Sequence, residues 1–438
     1  MSSATAAATR QTVDLVDSFI EGDAPRATGR FGVLTLRSSF QPIFSVAHGS
    51  VVGHEALVRA VDRAGMELAP QDLFDLATDP YDAVLLDRLC RTVHLRNHLA
   101  QHDDDGWIFL NVNPQVIVEG RRYGAFFREL LEGCGVPPHR IVIEVLESAL
   151  FAEARLAEAV SYYRRLGCLL AIDDFGAGYS NFDRIWRLKP EIVKLDRSVI
   201  VRAAEDMSVR LIMPRMASLL HEAGSLVLVE GIETEQQAMI ALEADVDFMQ
   251  GHLFARPHPD LTPRDAAAPL FEKLFRQFGR INELERAAYR SDIAPYLHGL
   301  RQAADSLRGG TPLADACAPF LSLPSAERCY VLDAAGRQSA PPVGSGREAP
   351  VDPRFAPVSD STGANWSRRH YFRRAIAQPE MVHVTRPYLS LANALSCVTV
   401  SIAVPTAAGL HVLCGDVAWN ERFSASDRTI DTHRADRV

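Results

Sequence analysis

The chain has 438 residues, of which 47% are hydrophobic and 23% charged. This is an ordinary globular composition with room for two or three domains. A formal net charge of -9 argues against an electrostatic grip on long nucleic acid, so no duplex nucleic acid partner is expected. Seven scattered cysteines without a CxxC pair indicate neither a disulfide framework nor a zinc site, and they predict a reducing compartment.

The first 30 residues form an N-terminal extension without a long apolar run. They carry the acidic residues Asp14, Asp17, Glu21 and Asp23. Neither a signal peptide nor a membrane-spanning helix is predicted there, so we expect a cytoplasmic protein with no membrane span.

From about residue 38, short apolar segments alternate with amphipathic helical patterns. The candidate strands are residues 39–46, 50–60, 107–113, 140–148, 168–176, 191–196, 225–233 and 247–254. Repeated strand–helix units predict a mostly parallel sheet. Only Ala47, His48 and Gly49 join the first two strands, too few for a crossover, so this pair is predicted antiparallel. The predicted fold is α/β, a modified TIM (β/α)8 barrel with one antiparallel strand, over residues 31–261.

The pattern changes after the barrel. Apolar residues three or four apart predict a helix over 262–290, within a connecting segment of residues 262–300. This helix is open to two interpretations, packing within a domain or a parallel dimer stalk that relays a signal. Strand patterns at 329–337, 397–405 and 409–417 predict a smaller α+β domain over residues 301–425, followed by a tail of residues 426–438.

Acidic or amide residues end several predicted strands, at the rim where barrel enzymes assemble their sites. These residues are Glu55, Asn111, Glu144, Asp173, Asp174 and Glu230. The adjacent carboxylates of Asp173 and Asp174 would repel each other if buried without cations. Lys194 ends another strand and could orient a water molecule or neutralise a phosphate. The pattern therefore predicts a two-cation site for phosphodiester chemistry.

Eight motifs in order then identify a resemblance over roughly residues 31–260. They are FQPI (40–43), EALVR (55–59), NVNP (111–114), EVLES (144–148), DDFGAGYSN (173–181), KLD (194–196), EGIET (230–234) and QGHLFARP (250–257). With them the chain resembles the EAL family of bacterial cyclic di-GMP phosphodiesterases. The resemblance implies hydrolysis of cyclic di-GMP to linear pGpG with two divalent cations, Mg²⁺ or Mn²⁺, and inhibition by Ca²⁺.

The resemblance also implies residue roles. The implied metal ligands are Glu55, Asn111, Glu144, Asp173, Asp174 and Glu230. Catalytic roles fall on Glu55, Lys194, Glu230, Gln250 and Glu147, with Lys194 positioning the attacking water and Glu147 bracing the loop after Asp174. Substrate contacts fall on Gln41, Leu57, Arg59, Asp174 and Gln250. The chain departs from the family at Leu146 and Ala177, where members commonly carry Thr.

The C-terminal region resembles the ligand-sensing core of Cache or PAS-like domains through residues 365–376, 386–390, 397–404 and 415–417. This resemblance implies a pocket for a small polar or carboxylate ligand, lined by Trp366, Arg368, Arg369, Tyr371, Tyr388 and Asp416. The alternative is a basic surface helix over Arg368 to Arg374, with its aromatic residues packed into the sheet.

Two functions of different classes therefore compete. The first is a metal-dependent cyclic di-GMP phosphodiesterase, a homodimer regulated by its C-terminal domain. The alternative is a catalytically weak cyclic di-GMP receptor that signals through that domain. All the implied ligands are present in the sequence, which favours the enzyme. A general nuclease is disfavoured, because the chain is acidic and has no extended basic stripe.

Overall fold

A computed structural model of the protein describes residues 13–101, 105–112, 126–146, 153–178, 182–347, 360–390 and 396–419. The chain divides into two compact units, Met1–Phe278 and Gly279–Val438. The strands are β1 Ile20–Glu21, β2 Thr28–Phe31, β3 Leu34–Ser45, β4 Ser50–Val61, β5 Glu67–Leu68, β6 Trp107–Asn111, β7 Ile141–Leu146, β8 Leu169–Phe175, β9 Ile192–Leu195, β10 Leu226–Val229, β11 Phe248–Met249, β12 Ala326–Leu332, β13 Val343–Gly344, β14 His383–Val384, β15 Tyr388–Leu389, β16 Ser396–Thr406 and β17 Gly409–Ala418.

The helices lie between these strands, and a 3₁₀ turn, Pro138–Arg140, precedes β7. The helices are α1 Pro70–Asp75, α2 Pro80–Leu99, α3 Phe126–Cys134, α4 Glu153–Leu166, α5 Phe182–Leu188, α6 Arg197–Glu205, α7 Met207–Glu222, α8 Glu235–Glu243, α9 Ala268–Arg308, α10 Leu313–Leu321 and α11 His370–Ala377. Among these described helices, none combines the length and the apolar character needed to cross a bilayer.

The first unit is a closed eight-stranded barrel. Its strands run in the order β3, β4, β6, β7, β8, β9, β10 and β11, and β11 pairs back onto β3. Strand β3 is antiparallel to both of its neighbours, whereas the other pairs are parallel. Gly49, with a φ of 59°, takes the left-handed conformation that the tight β3–β4 turn requires. The predicted barrel and its single antiparallel strand are confirmed.

Residues assigned from the sequence to an N-terminal extension partly belong to the barrel sheet. Strand β1 pairs with β2, and β2 pairs with β3. Strand β5 similarly adds to β4. These segments have two to four residues, too few for a period-two pattern to stand out in the sequence.

The barrel interior is filled by one apolar residue from each of seven strands. This layer consists of Ile43, Phe109, Val142, Ala171, Ile192, Leu228 and Phe248. Since the interior is packed with side chains, it has no pore, and the open rim above this layer is where polar groups can gather.

Local sequence signals set helix boundaries close to that rim. Helix α8 begins with a capping box, in which the Thr234 side chain accepts from the backbone of Gln237 and the Gln237 side chain reaches back. Asp196 caps α6 by accepting from the backbone N–H of Ser198. Both caps fix the chain shortly after β9, which carries Lys194, and β10, which leads into Glu230.

The helix after the barrel is longer than the sequence pattern predicted. Helix α9 covers Ala268–Arg308 rather than 262–290. Its later residues Ile293, Tyr296, Leu300 and Ala303 continue the three-to-four spacing and are buried in the core of the second unit. Burial of this second apolar stripe explains why the helix continues past residue 290.

The second unit is a smaller α+β domain, as predicted. Its antiparallel sheet has the order β13, β12, β17, β16, β14, with β15 also paired to β16. One face packs residues such as Val398 and Val400 against Leu300 and Phe320 of helices α9 and α10. The other face packs Ala403 and its neighbours against α11. The sheet is thus covered by helices on both faces.

Candidate active site

A ring of polar side chains lies directly above the apolar layer of the barrel. Side chains alternate along a strand, so a residue two positions after an inward-facing residue also faces inward. That offset relates each apolar residue of the layer to a polar one, namely Phe109 to Asn111, Val142 to Glu144, Ala171 to Asp173, Ile192 to Lys194, Leu228 to Glu230 and Phe248 to Gln250. The strand period therefore brings these residues to one mouth of the barrel.

Glu55, on β4, is held in this ring by two amides. Asn111 Nδ2 donates to one carboxylate oxygen of Glu55 at 3.1 Å, and Gln250 Nε2 donates to the other at 2.8 Å. Two residues earlier, Gly53 lies so close to β6 that an added Cβ would sit 2.6 Å from the carbonyl oxygen of Trp107. The absence of a side chain at Gly53 allows β4 and β6 to approach and brings Glu55 to Asn111.

Lys194 lies at the centre of the ring and is fully buried. Its Nζ atom lies 2.5 Å from Glu230 Oε1, 2.6 Å from Glu144 Oε1, 3.1 Å from Asp173 Oδ1 and 3.6 Å from Glu55 Oε2. Burial lowers the pKa of Lys194, but Asp173 and the other three carboxylates outweigh it and hold that pKa well above its ordinary value. Lys194 is therefore a charged ammonium among four carboxylates.

The carboxylates respond to this environment in opposite directions. Burial raises the pKa of Glu55, but Lys194 and the two amides outweigh it and leave that pKa lowered. Burial, together with the charge of Glu55, raises the pKa of Glu144 well above its usual value. Burial also raises the pKa of Glu230, against the opposing effect of Lys194. One ammonium thus does not compensate all of these buried carboxylates.

A β-bulge places Asp173 and Asp174 together. Three steps along β8, from Ile172 to Phe175, correspond to only two along β9, and Asp174 has a φ of 59°. In a regular strand the two side chains would point to opposite faces. In this bulge, oxygens of Asp173, Asp174 and Glu230 come within 4.8 Å of one another.

These groups fit divalent cations. Glu55, Glu144 and Asp173 form one cluster of oxygens within 4.8 Å, and Asp173 shares a second with Asp174 and Glu230. Neither oxygen of Glu144 accepts a well-oriented hydrogen bond from the described residues. Together, the five carboxylates and the one ammonium leave four excess negative charges when ionised, which two divalent cations would neutralise. Hard oxygen donors are the ligands that Mg²⁺ and Mn²⁺ prefer.

The remaining predicted substrate contacts lie beside this cluster. Gln41 lies opposite Glu55 in the β3–β4 register, and its Nε2 donates to the carbonyl of Ala255 at 3.4 Å. Leu57 and Arg59 follow Glu55 on the same face of β4, further along the strand than the carboxylates. Glu147 lies outside the described residues.

Sequence reasoning missed two residues that hold the loop after β8. The backbone N–H of Asp196 donates to Phe175 O at 3.0 Å, and Arg202 Nη2 donates to Gly176 O at 2.9 Å. Asp196 lies in the KLD motif, and its position before Arg197 and Ser198 signals a helix cap. Arg202 carries no sequence signal of its own, because its acceptor is 26 residues away.

In the second unit, four of the six predicted pocket residues come together. The Arg369 guanidinium lies 5.8 Å from the ring centre of Trp366 and 5.5 Å from that of Tyr388. The Tyr388 hydroxyl hydrogen-bonds to Thr399 Oγ1 at 2.6 Å, and Thr399 donates to Asp416 at 2.7 Å. Arg369 Nε is buried and has no hydrogen-bond partner among the described residues. The structure thus links Trp366, Arg369, Tyr388 and Asp416.

The other two predicted pocket residues differ in exposure. Tyr371 is buried against the sheet, in the same cluster as Tyr330. Arg368 is exposed. Asp416 is paired with Arg328 Nε at 2.8 Å, so its charge is already compensated. Helix α11 begins after Arg369 and buries Tyr371 and Phe372, which is the packing of aromatic residues that the surface-helix interpretation expects.

Comparison with known proteins places the barrel in one family. The profile of the EAL domain matches residues 33–257 of this chain. Cyclic di-GMP phosphodiesterase RocR of Pseudomonas aeruginosa is 29% identical over half of this chain and 57% of its own length. The EAL-domain protein YkuI of Bacillus subtilis is 26% identical over 76% of this chain and 82% of its own length.

A solved structure extends the similarity to both units. The crystal structure of Bacillus subtilis YkuI, in complex with substrate c-di-GMP and calcium, covers 87% of this chain and 96% of its own at a TM-score of 0.74 and 23% identity. At that identity the likeness establishes the fold. The chain spans 32%, 57% and 32% of the lengths of the first three curated relatives it matches.

Proposed function

Because the chain belongs to the EAL domain family, we propose that it is a metal-dependent phosphodiesterase that hydrolyses cyclic di-GMP to linear pGpG. The observation that carries the proposal is the gathering of Glu55, Glu144, Asp173 and Glu230 around Lys194 at the barrel mouth, with Asp174 beside Asp173 and Glu230. A site with such an excess of carboxylate oxygens is suited to binding cations, and without cations it would repel an anionic ligand.

In this proposal, different side chains bind the cations, orient the water and contact the substrate. Glu55, Asn111, Glu144, Asp173, Asp174 and Glu230 hold two divalent cations, Mg²⁺ or Mn²⁺. Those cations, when bound, supply an activated water and stabilise charge on the phosphoryl oxygens. Lys194 holds a proton at Nζ among the carboxylates and orients the attacking water. Gln250 fixes the Glu55 carboxylate through its 2.8 Å hydrogen bond. Gln41, Leu57 and Arg59, together with Asp174 and Gln250, contact the dinucleotide.

The test is an assay of the full chain with cyclic di-GMP and Mg²⁺ or Mn²⁺, with the products separated by chromatography. We expect pGpG. Calcium, which tolerates looser geometry, should bind and inhibit. Glu55→Ala should abolish turnover, because it removes a ligand of the first carboxylate cluster. Tight binding of cyclic di-GMP without product in Mn²⁺ would instead assign the protein to the receptor class, signalling through its second domain.

Regulation of the barrel by the C-terminal domain is a further part of the proposal, and we expect it to act within a homodimer. In this proposal the domain is a Cache or PAS-like sensor, and its ligand is a small carboxylate. The support is Arg369, whose guanidinium lies close to the rings of both Trp366 and Tyr388 and makes no ion pair with a described residue. A guanidinium oriented by two rings is suited to bidentate binding of a carboxylate.

Two measurements test this regulatory part. The sedimentation coefficient of the full chain reports whether it is a homodimer. Thermal-shift screening against small carboxylates reports a ligand, and Arg369→Ala should abolish any shift whereas Arg373→Ala, at an exposed position of α11, should retain it. A shift that survives Arg369→Ala would exclude this pocket. The cytoplasm is the proposed location, and the free thiols of all seven cysteines support it.

A further inference from the structure

The bulge that brings Asp173 and Asp174 together contains a residue with left-handed backbone. Asp174 is one of four non-glycine residues with positive φ in the described part of the chain. Left-handed backbone is less favourable for a residue with a Cβ than for glycine, although Asp adopts it more readily than most residues, so the contacts around the bulge help to fix it. What fixes the bulge therefore also determines where the Asp174 carboxylate points.

The contacts that fix it come largely from β9 and α6. Inside the bulge, Ala177 N donates to Asp174 O at 3.2 Å. From outside, the backbone N–H of Asp196 donates to Phe175 O at 3.0 Å. Gly176, with a φ of 98°, lies so close to α6 that a Cβ would sit 2.5 Å from Val199 Cγ2. The loop is thus pressed onto the first turns of α6.

Arg202 is the side chain that ties this loop to α6. Its Nη2 donates to Gly176 O at 2.9 Å and to Ser198 Oγ at 2.9 Å, and its Nε donates to Ser198 O at 3.1 Å. Among the described residues, Gly176 and Ser198 are the two that accept hydrogen bonds from the Arg202 guanidinium. The Ser198 contacts orient the guanidinium, so the second N–H of Nη2 is aimed at the carbonyl of Gly176.

We propose that Arg202 is a positioning residue for the second cation site, because it anchors Gly176 and so keeps Asp174 in the bulged conformation that faces Asp173 and Glu230. The inference rests on the proposed function only in that the carboxylates are taken to hold cations. It assigns Arg202 no contact with the substrate or the reacting atoms. Without the anchor, Asp174 can relax toward a regular strand conformation and leave the cluster.

The experiment counts bound metal rather than turnover. Mn²⁺ is titrated into the metal-free full chain, with free Mn²⁺ followed by electron paramagnetic resonance. Hydrogen exchange of the peptide that contains Ala177 is measured in parallel. The variants are Arg202→Met, which keeps the aliphatic stem, and the milder Ser198→Ala. The matched control is Arg210→Met, on the neighbouring helix α7, which removes the bidentate pair between Arg210 and Glu243 of α8.

We expect Arg202→Met to weaken the weaker class of Mn²⁺ sites by about threefold to tenfold, the loss of a hydrogen bond worth about 1 kcal/mol. Exchange at Ala177 should accelerate, and Ser198→Ala should move both quantities in the same direction by less. Arg210→Met should lower the melting temperature and leave both quantities at wild-type values. Wild-type Mn²⁺ binding and exchange in Arg202→Met would overturn the inference.

These outcomes separate the two proposals. If the wild-type protein binds two Mn²⁺ ions but releases no pGpG, the proposed function fails while the role of Arg202 stands on the binding data. If the wild-type protein turns over cyclic di-GMP and Arg202→Met binds Mn²⁺ unchanged, only the positioning role fails.

Discussion

Replacing Lys194 by Met tests whether its ammonium stands in for the cations in the metal-free protein. Lys194 is fully buried and has four carboxylates within 3.6 Å of Nζ. Removing one partner from a buried ion pair costs about 3–5 kcal/mol, because the other charge is left uncompensated. In chelator, we therefore expect Lys194→Met to lower the free energy of unfolding by that amount and the melting temperature by roughly 10 °C.

Bound metal should reduce the difference in unfolding free energy between Lys194→Met and the wild type. Bound Mn²⁺ would compensate the carboxylates that Lys194 leaves behind, so saturating Mn²⁺ should stabilise Lys194→Met more than it stabilises the wild type. The matched control is Lys273→Met. Lys273 forms an exposed ion pair with Glu235 at 2.5 Å, and its loss should cost less than about 1 kcal/mol with or without metal.

Chemical denaturation of both variants, in chelator and in saturating Mn²⁺, measures these differences. Lys194→Met should also lower turnover by about 10²-fold or more while changing substrate affinity less, because the ammonium orients the attacking water. An equal loss of stability for Lys194→Met and Lys273→Met in chelator would refute the electrostatic argument. So would a deficit for Lys194→Met that Mn²⁺ leaves unchanged.

Two further predictions concern pH and packing. Burial, followed by the charge of Asp173, raises the pKa of Asp174 from 3.8 to about 6. Protonation of Asp174 therefore stabilises the metal-free fold fully below pH 3.8, and this stabilisation is lost as the pH rises through 6. Mn²⁺ competes with that proton, so its affinity in calorimetric titrations should increase as the pH rises from 5 to 7, and a flat profile over that range would contradict the assignment. In the second unit, an alanine Cβ at Gly415 would lie 2.5 Å from the Phe320 ring, so Gly415→Ala should destabilise the full chain by about 1–3 kcal/mol in denaturant titrations. Gly279→Ala, in open space on α9, should be neutral or stabilising by up to about 1 kcal/mol, and a comparable loss in both variants would contradict the packing argument.

The barrel and its ring of polar residues could be predicted from the sequence because both depend on a local period. Each apolar strand carries an inward-facing residue, and Glu144 or Lys194 follows it two positions later. Parallel strands end at the same rim, so polar residues at that offset converge whatever the details of packing. The short connection of Ala47 to Gly49 likewise sufficed to make the first strand antiparallel.

The tertiary structure decided what a local period cannot encode. The bulge at Asp173 and Asp174 arises because Gly176 packs against Val199 and pairs with Arg202, which lie more than 20 residues further along the chain. The extension of α9 beyond residue 290 depends on a core that it forms with strands β12, β16 and β17 of the second unit. Period-two and period-3.6 patterns report which way a side chain points, whereas the register of a bulge and the length of a helix are set by contacts between distant segments.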